Sequence, residues 1–272
     1  MQDATADDVW VTSIEADTGG AYRFTDGQPR FKTKAGEPLG FTDPIPAAAI
    51  QFRVLSARCE WQLDGCNHRV WLLVLKGSLK LFSPGQTSRQ FDSGSIVQWL
   101  VPARDITGLS AVAPDGAVVA VVHIDGLPEH ATTVTGSSEA ERGSVGLQGL
   151  DAVRTVDAEG GRSRSSLARL PCLPVSAHMH VTPVYALDAV QLVYAYGDLD
   201  YQWHQAPQRQ FVLPLTGGMV VDSGHGDRNE ILPGDIYLGE DVAGQGHITR
   251  ARDSQARFSV FAHLAAGIAP VS

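Results

Sequence analysis

The stretch WHQAPQRQFVLPLTGG, residues 203–218, puts polar and titratable side chains at the head of an apolar run. If it is extended, its side chains alternate between faces, and His204, Ala206, Gln208, Gln210 and Val212 share one side. A buried imidazole and a buried amide both need partners. His204 and Gln210 therefore either satisfy each other and a trapped water or act together on a ligand. Glu240 and Asp241 stand seven and six residues before His247. A carboxylate at that range can orient the second ring nitrogen of a histidine or exchange protons itself. Either these residues form a histidine–acid site for proton transfer of the kind an epimerase or dehydratase needs, with Asp241 and Glu240 as candidate catalytic groups, or the two carboxylates are simply solvated in the loop before His247. Gln208, Val212, Tyr201 and His263 are the candidate substrate contacts.

Other polar clusters are poorer in donors. His178-Met179-His180 sets two rings on one strand face with no third donor near in sequence, which reads as surface histidine. Cys66-Asn67-His68 offers two adjacent donors in a turn, too few for a metal. Cys59, Cys66 and Cys172 form no C-x-x-C pair, so buried reduced thiols are expected, with neither a disulfide framework nor a zinc knuckle. Trp61, Trp71, Trp203, Tyr194 and Tyr196 read as core or rim residues of strands.

The elements that must position the site are short strands. Segments 51–55, 70–75, 79–82, 118–124, 190–195, 210–215 and 258–264 are rich in Val, Leu, Ile and aromatics, and 28 Gly and 15 Pro punctuate the chain. No long segment has a helical period and a cap, so the expected class is all-β, a sandwich or barrel. Sliding the chain on itself by 140 residues reveals an internal repeat. AIQFRV (49–54) falls on AVQLVY (189–194), Arg69 on Arg209, Leu75 on Leu215, Gly77 on Gly217, Gly94 on Gly234, Ile96 on Ile236 and His123 on His263. Upstream, with the offset changed by about two, VTSIEADTGG (11–20) resembles VRTVDAEGG (153–161). The Gly-, Ser- and Thr-rich segment 126–149 lacks an apolar period and reads as a linker. The expected division is 1–125, a linker 126–149, and 150–272.

Composition excludes several partners. A hydrophobic content of 43% over 272 residues can bury a sizeable core. A formal charge of −9 without a basic run argues against nucleic acid. No stretch of about 18 apolar residues and no signal-like leader occurs, so neither a membrane partner nor export is expected, and the expected location is cytoplasmic. The expected assembly is a monomer or homodimer with a small-molecule substrate.

The run from His204 through Gln210 to Gly217, followed by LPGDIYL (232–238) and His247, resembles the two cupin motifs. Those are a G-x5-H-x-H-x3,4-E-x6-G strand pair and a later P-G-D strand ending in a further histidine. WHQAPQRQ and EDVAGQGHITR are similar to the core of bacterial cupin-domain proteins of unassigned activity. The resemblance implies a double-stranded β-helix, or jelly roll, and the internal duplication implies a bicupin of two tandem barrels. A full cupin site holds Fe, Mn, Ni, Cu or Zn with three histidines and a glutamate. By that pattern His204 matches the first histidine and His247 the last, while Ala206 and Gln210 stand where a histidine and the glutamate would be. The implied metal set is His204, Gln210 and His247, holding Fe, Mn, Ni or Zn or no ion at all. In the first copy the same positions are Asp64, Cys66, Val70 and Thr107, so its site is lost. Three function classes follow. They are a metal-assisted enzyme of oxygenase, isomerase, lyase or cyclase chemistry, a metal-free proton-transfer enzyme, and a non-catalytic small-molecule binder.

Overall fold

A computed structural model of the chain describes residues 9–16, 22–33, 39–63, 68–82, 88–99, 109–127 and 149–267. Among these the regular elements are β-strands, apart from a single 3-10 turn at Glu159–Gly161. The all-β class is thus observed, and no helix among the described residues is long and apolar enough to cross a membrane. The seven predicted strands fall on six observed ones, Ala49–Leu55, Val70–Phe82, Ala117–His123, Tyr185–Ala195, Gln210–Thr216 and Arg257–Leu264, because 70–75 and 79–82 are one continuous strand. The sequence positions Asp64, Cys66 and Thr107, and linker residues 128–148, lie outside the described residues.

Two strand sets face each other in the C-terminal half. In one, Gln210–Thr216 lies between Arg257–Leu264 and Tyr237–Glu240, and Tyr185–Ala195 extends it beyond Arg257–Leu264. The other is a four-stranded sheet ordered Asp200–His204, His247–Ala251, Met219–Ser223, Arg228–Ile231. A hairpin of Gly149–Asp157 and Ser163–Pro171 precedes them, with its first strand parallel to Tyr237–Glu240. The N-terminal half has a corresponding hairpin, Val11–Ala16 with Tyr22–Gly27, whose first strand runs parallel to Ile96–Trp99.

Each half lends a short strand to the other. Leu39–Phe41 pairs with Tyr185–Ala195, Leu39 opposite Ala195, and Met179–Val181 pairs with Ala49–Leu55, Met179 opposite Leu55. Shifting either register by 140 residues yields the other. Ile45 opposite Val190 and Tyr185 opposite Ile50 obey the same shift. So do two glycine contacts between the halves: a Cβ on Gly94 would sit 2.9 Å from the Leu215 carbonyl oxygen, and one on Gly234 would land on that of Leu75. Both glycines have positive φ, 93° and 82°, a conformation that side-chain-bearing residues rarely adopt.

Three apolar clusters hold this arrangement. The largest lies between the halves, where Phe52, Trp71, Leu73 and Leu75 meet Leu192, Phe211, Leu213, Leu215 and Phe258. Phe52 and Phe211 meet edge-on with ring centroids 5.3 Å apart. Each such side chain contributes about 1.5–3 kcal/mol on burial. The second fills the interior of the N-terminal half with Leu55, Trp61, Val70, Leu72, Leu81, Phe91, Val97 and the visiting Met179. The interior of the C-terminal half has only Val212, Met219, Val221, Ile231 and Tyr237. Cys59 and Cys172 are buried free thiols.

Candidate functional site

The under-filled interior of the C-terminal half contains a cavity of about 250 Å³ between its two strand sets. His204 ends its strand and His247 begins the neighbouring one, and the two are cross-strand partners. Their rings stand 4.4 Å apart at 57°. His247 reaches this position because Gly246, with φ 73°, passes so close to the His204 carbonyl oxygen that a Cβ there would collide with it.

The hydrogen bonds define the tautomers. His247 Nδ1–H donates to Asp241 Oδ2 at 2.6 Å, and Asp241 is fully buried. His204 Nδ1–H donates to the Gln202 carbonyl at 2.8 Å. Carboxylate and carbonyl oxygens only accept, so both rings carry the proton on Nδ1 and, when neutral, present a lone pair at Nε2. Burial, helped by the neighbouring His247, lowers the pKa of His204 to about 4, so this ring is neutral at pH 7. Burial also lowers that of His263, which lines the cavity with its Nδ1 unpartnered. Gln210, 5% exposed, lines it too, and its Oε1 has no partner. Tyr201 stands at the rim with its ring 4.3 Å from that of His204.

Several expected residues fall elsewhere. No single strand carries His204 through Val212: the strand stops at His204, residues 205–209 are irregular, and pairing resumes at Gln210 in the other strand set. Pro207 has no N–H to give to a ladder, and the Ala206 N–H donates to the Asp241 carbonyl at 3.1 Å. The corner still brings His204, Gln210 and Val212 to one cavity, but Gln208 is not among its lining residues. Glu240 is also absent from the lining. Strand alternation turns Tyr237 toward the cavity and Glu240 away. The Glu240 carboxylate is held by Arg154 Nε at 2.5 Å and by Arg209 Nε at 2.7 Å, so it ties the leading hairpin to the 205–209 corner and reaches no ligand. Asp241 touches the cavity only through His247.

The cavity also holds residues that the sequence reading missed. Arg257, 3% exposed, lines it, as do Leu39 and Phe41 from the strand lent by the N-terminal half. A charged residue opening the apolar run RFSVFAHL was the available signal for Arg257. Nothing in the sequence marks a lent strand.

As metal donors the cavity offers two imidazole Nε2 atoms and the neutral Gln210 amide oxygen. Among the described residues no group of three His, Cys, Asp or Glu side chains is placed to hold an ion. The set does not by itself fit a resident transition metal, which takes at least three strong protein ligands in most catalytic sites.

No protein-family model matches the chain, and no curated protein matches it. Among solved structures it is similar to a cupin 2 conserved barrel domain protein from Leptotrichia buccalis, at 12% identity and a TM-score of 0.43 over 86% of this chain and 92% of that one. It is similar to a putative glyoxylate-induced protein from Pseudomonas aeruginosa, at 11% identity and a TM-score of 0.40 over 89% and 86% of the two chains. A third likeness is to Bacillus subtilis oxalate decarboxylase, at 12% identity and a TM-score of 0.33 over 88% and 76%.

Proposed function

We propose that the C-terminal half is the site of an enzyme acting on a small organic molecule, in which His247, held by Asp241, moves a proton and neutral His204 faces it across the cavity. The observation that carries this reading is the buried Asp241–His247 hydrogen bond with the His204 ring opposite. The carboxylate fixes the tautomer that presents Nε2 to the ligand, and it stabilises the imidazolium formed once Nε2 takes a proton. His204 Nε2 can accept a hydrogen bond from a ligand hydroxyl. The chemistry this supports is proton abstraction and return on one small molecule, as in epimerisation, isomerisation or dehydration.

Within the same reading the chain is a bicupin, two jelly-roll units derived by internal duplication and divided near 126–149, with the N-terminal unit structural. The reciprocal registers shifted by 140 residues and the paired leading hairpins support this.

One observation favours a metal-assisted variant: both histidines are tethered at Nδ1, the usual arrangement of metal-binding imidazoles. His204, His247 and Gln210 would hold Fe, Mn, Ni or Zn, and the ligand would have to complete the coordination sphere. Elemental analysis of protein purified without added metal separates the two. Stoichiometric metal in the wild type that is lost in both His204→Ala and His247→Ala, and bound more tightly in Gln210→Glu, would replace the metal-free reading.

The activity itself is tested by incubating the protein with a small-molecule cell extract in D2O and following deuterium incorporation and product formation by mass spectrometry. The expected result is a compound changed by the wild type and left unchanged by His247→Gln. An extract that the wild type leaves as it was would overturn the reading.

A further inference from the structure

Arg257 opens the strand Arg257–Leu264 and lines the cavity that holds His204 and His247. It is 3% exposed, and its Nε and Nη1 are buried without a hydrogen-bond partner. Among the described residues no carboxylate compensates it: burial lowers its pKa to about 10, with no acidic neighbour contributing. The guanidinium therefore stays charged at neutral pH. A buried charge without a counter-charge is among the costliest features a fold can carry. The fold does not require one here, since the residue 140 positions earlier is Ala117, buried and apolar. Where charged residues elsewhere in this half are buried, as Glu240 is, they are paired.

We propose that Arg257 is the counter-charge for a ligand carboxylate, so that the molecule bound in this cavity is a small carboxylic acid. The inference rests on the cavity being the small-molecule site proposed above and adds its substrate class. The planar fork of a guanidinium matches two carboxylate oxygens at once. Among the described residues Arg257 is the one lysine or arginine in the lining, and Leu39, Phe41, Leu199 and Phe261 line the same cavity, so the resident charge balances one negative charge. A volume of about 250 Å³ lies just under the usual range for drug-sized ligands, which limits the acid to metabolite size. The carboxylate would sit on Arg257 while the rest of the molecule extends toward the paired histidines, with Gln210 Oε1 free to accept a hydrogen bond from a hydroxyl or amine.

The test uses butyrate and benzoate as probes, butyramide and benzamide as their neutral isosteres, and inorganic phosphate, each followed by calorimetric titration and thermal unfolding of the full chain. The carboxylates should bind and raise the Tm, and the amides and phosphate should not. Arg257→Met should weaken carboxylate binding by on the order of 10- to 100-fold, the value of a charge-assisted pair, and should raise the Tm of the ligand-free protein, because it removes an uncompensated buried charge at similar volume. A merely structural arginine would do the reverse, so a lower Tm in Arg257→Met with carboxylate binding unchanged overturns the proposal. Binding of the amides equal to that of the acids, or of phosphate in their place, also overturns it. His247→Gln keeps the two readings apart, because it should abolish turnover and retain carboxylate binding. Arg257-dependent carboxylate binding without any turnover leaves this inference standing and removes the enzyme. Turnover of a neutral compound by Arg257→Met removes this inference and leaves the enzyme.

Discussion

Replacing Asp241 by Asn keeps the shape of the buried side chain and removes its charge, which isolates what the carboxylate does for His247. In the wild type Asp241 Oδ2 accepts from His247 Nδ1 at 2.6 Å, and Asp241 is fully buried. Once Nε2 takes a proton, the imidazolium and the carboxylate attract each other by about 4 kcal/mol at a charge separation of roughly 4 Å and an effective dielectric near 20. Losing that stabilisation in the transition state slows proton transfer by about 10³-fold, at 1.36 kcal/mol per decade. If the amide NH2 turns toward the ring, the proton also moves to Nε2 and the base is lost outright, so the estimate is a lower bound on the effect. The assay is the rate of deuterium incorporation into the compound returned by the extract screen. A loss of less than tenfold in Asp241→Asn would refute this role of the carboxylate.

Three further outcomes follow from the same geometry. Glu240→Gln should cost about 2–3 kcal/mol of stability by leaving Arg154 and Arg209 without their shared charge, with carboxylate binding retained; full stability with turnover abolished would restore Glu240 as a catalytic group. Acid should destabilise the fold through His123, which is fully buried against His68 and Arg53 and has a pKa lowered by burial to about 3. Its unfolded value is near 6.5, so its contribution is complete above pH 6.5 and declines by about 3 kcal/mol by pH 4; a His123→Asn variant should show a flatter Tm–pH curve over that window, and an unchanged slope would discount the group. Gly217→Ala should cost about 2 kcal/mol and lower the Tm by about 4–8 °C, at roughly 2–4 °C per kcal/mol for a chain of this size, since Gly217 has φ 61° and a Cβ there would collide with the Ala256 carbonyl oxygen; an unchanged Tm would show that the turn can relax.

The strands were legible because their residues repeat a local pattern, and the pairing between halves was legible only in outline. Val190–Ala195 and Gln210–Leu215 announce themselves by Val, Leu and aromatics bounded by Gly and Pro, a signal that needs no tertiary context. The 140-residue shift marked equivalent positions, and the registers of Leu39–Phe41 and Met179–Val181 obey it. That each of those strands crosses to the other half is a long-range fact with no local trace. His204, Gln210 and His247 stand at positions that the cupin resemblance singles out, and they line one cavity, but alternation does not carry from His204 to Gln210, because the strand breaks around Pro207. Asp241 and Glu240 could not be told apart in sequence, being neighbours of one chemistry; alternation after Tyr237 sends Glu240 to two arginines and leaves Asp241 behind His247. Arg257 was missed because a lone arginine in an apolar run is ordinarily read as an exposed residue at a strand end.

The two interiors explain why a site can exist in one half. At positions 140 apart the N-terminal half has Val70, Leu79, Val97 and Ala117 where the C-terminal half has Gln210, Met219, Tyr237 and Arg257. The first set belongs to a continuous apolar cluster, and the second surrounds a cavity. A cavity and an unpaired cation both subtract stability, and the filled interior and the apolar seam between the halves supply it. The dependence is also geometric, because Leu39 and Phe41 complete the cavity wall from the other half. Cutting the chain between the halves would strip that wall and expose Phe211, Leu213, Leu215 and Phe258 to water. The filled half is therefore tied to the proposed site: it carries the stability that the polar cavity gives up and closes one side of it.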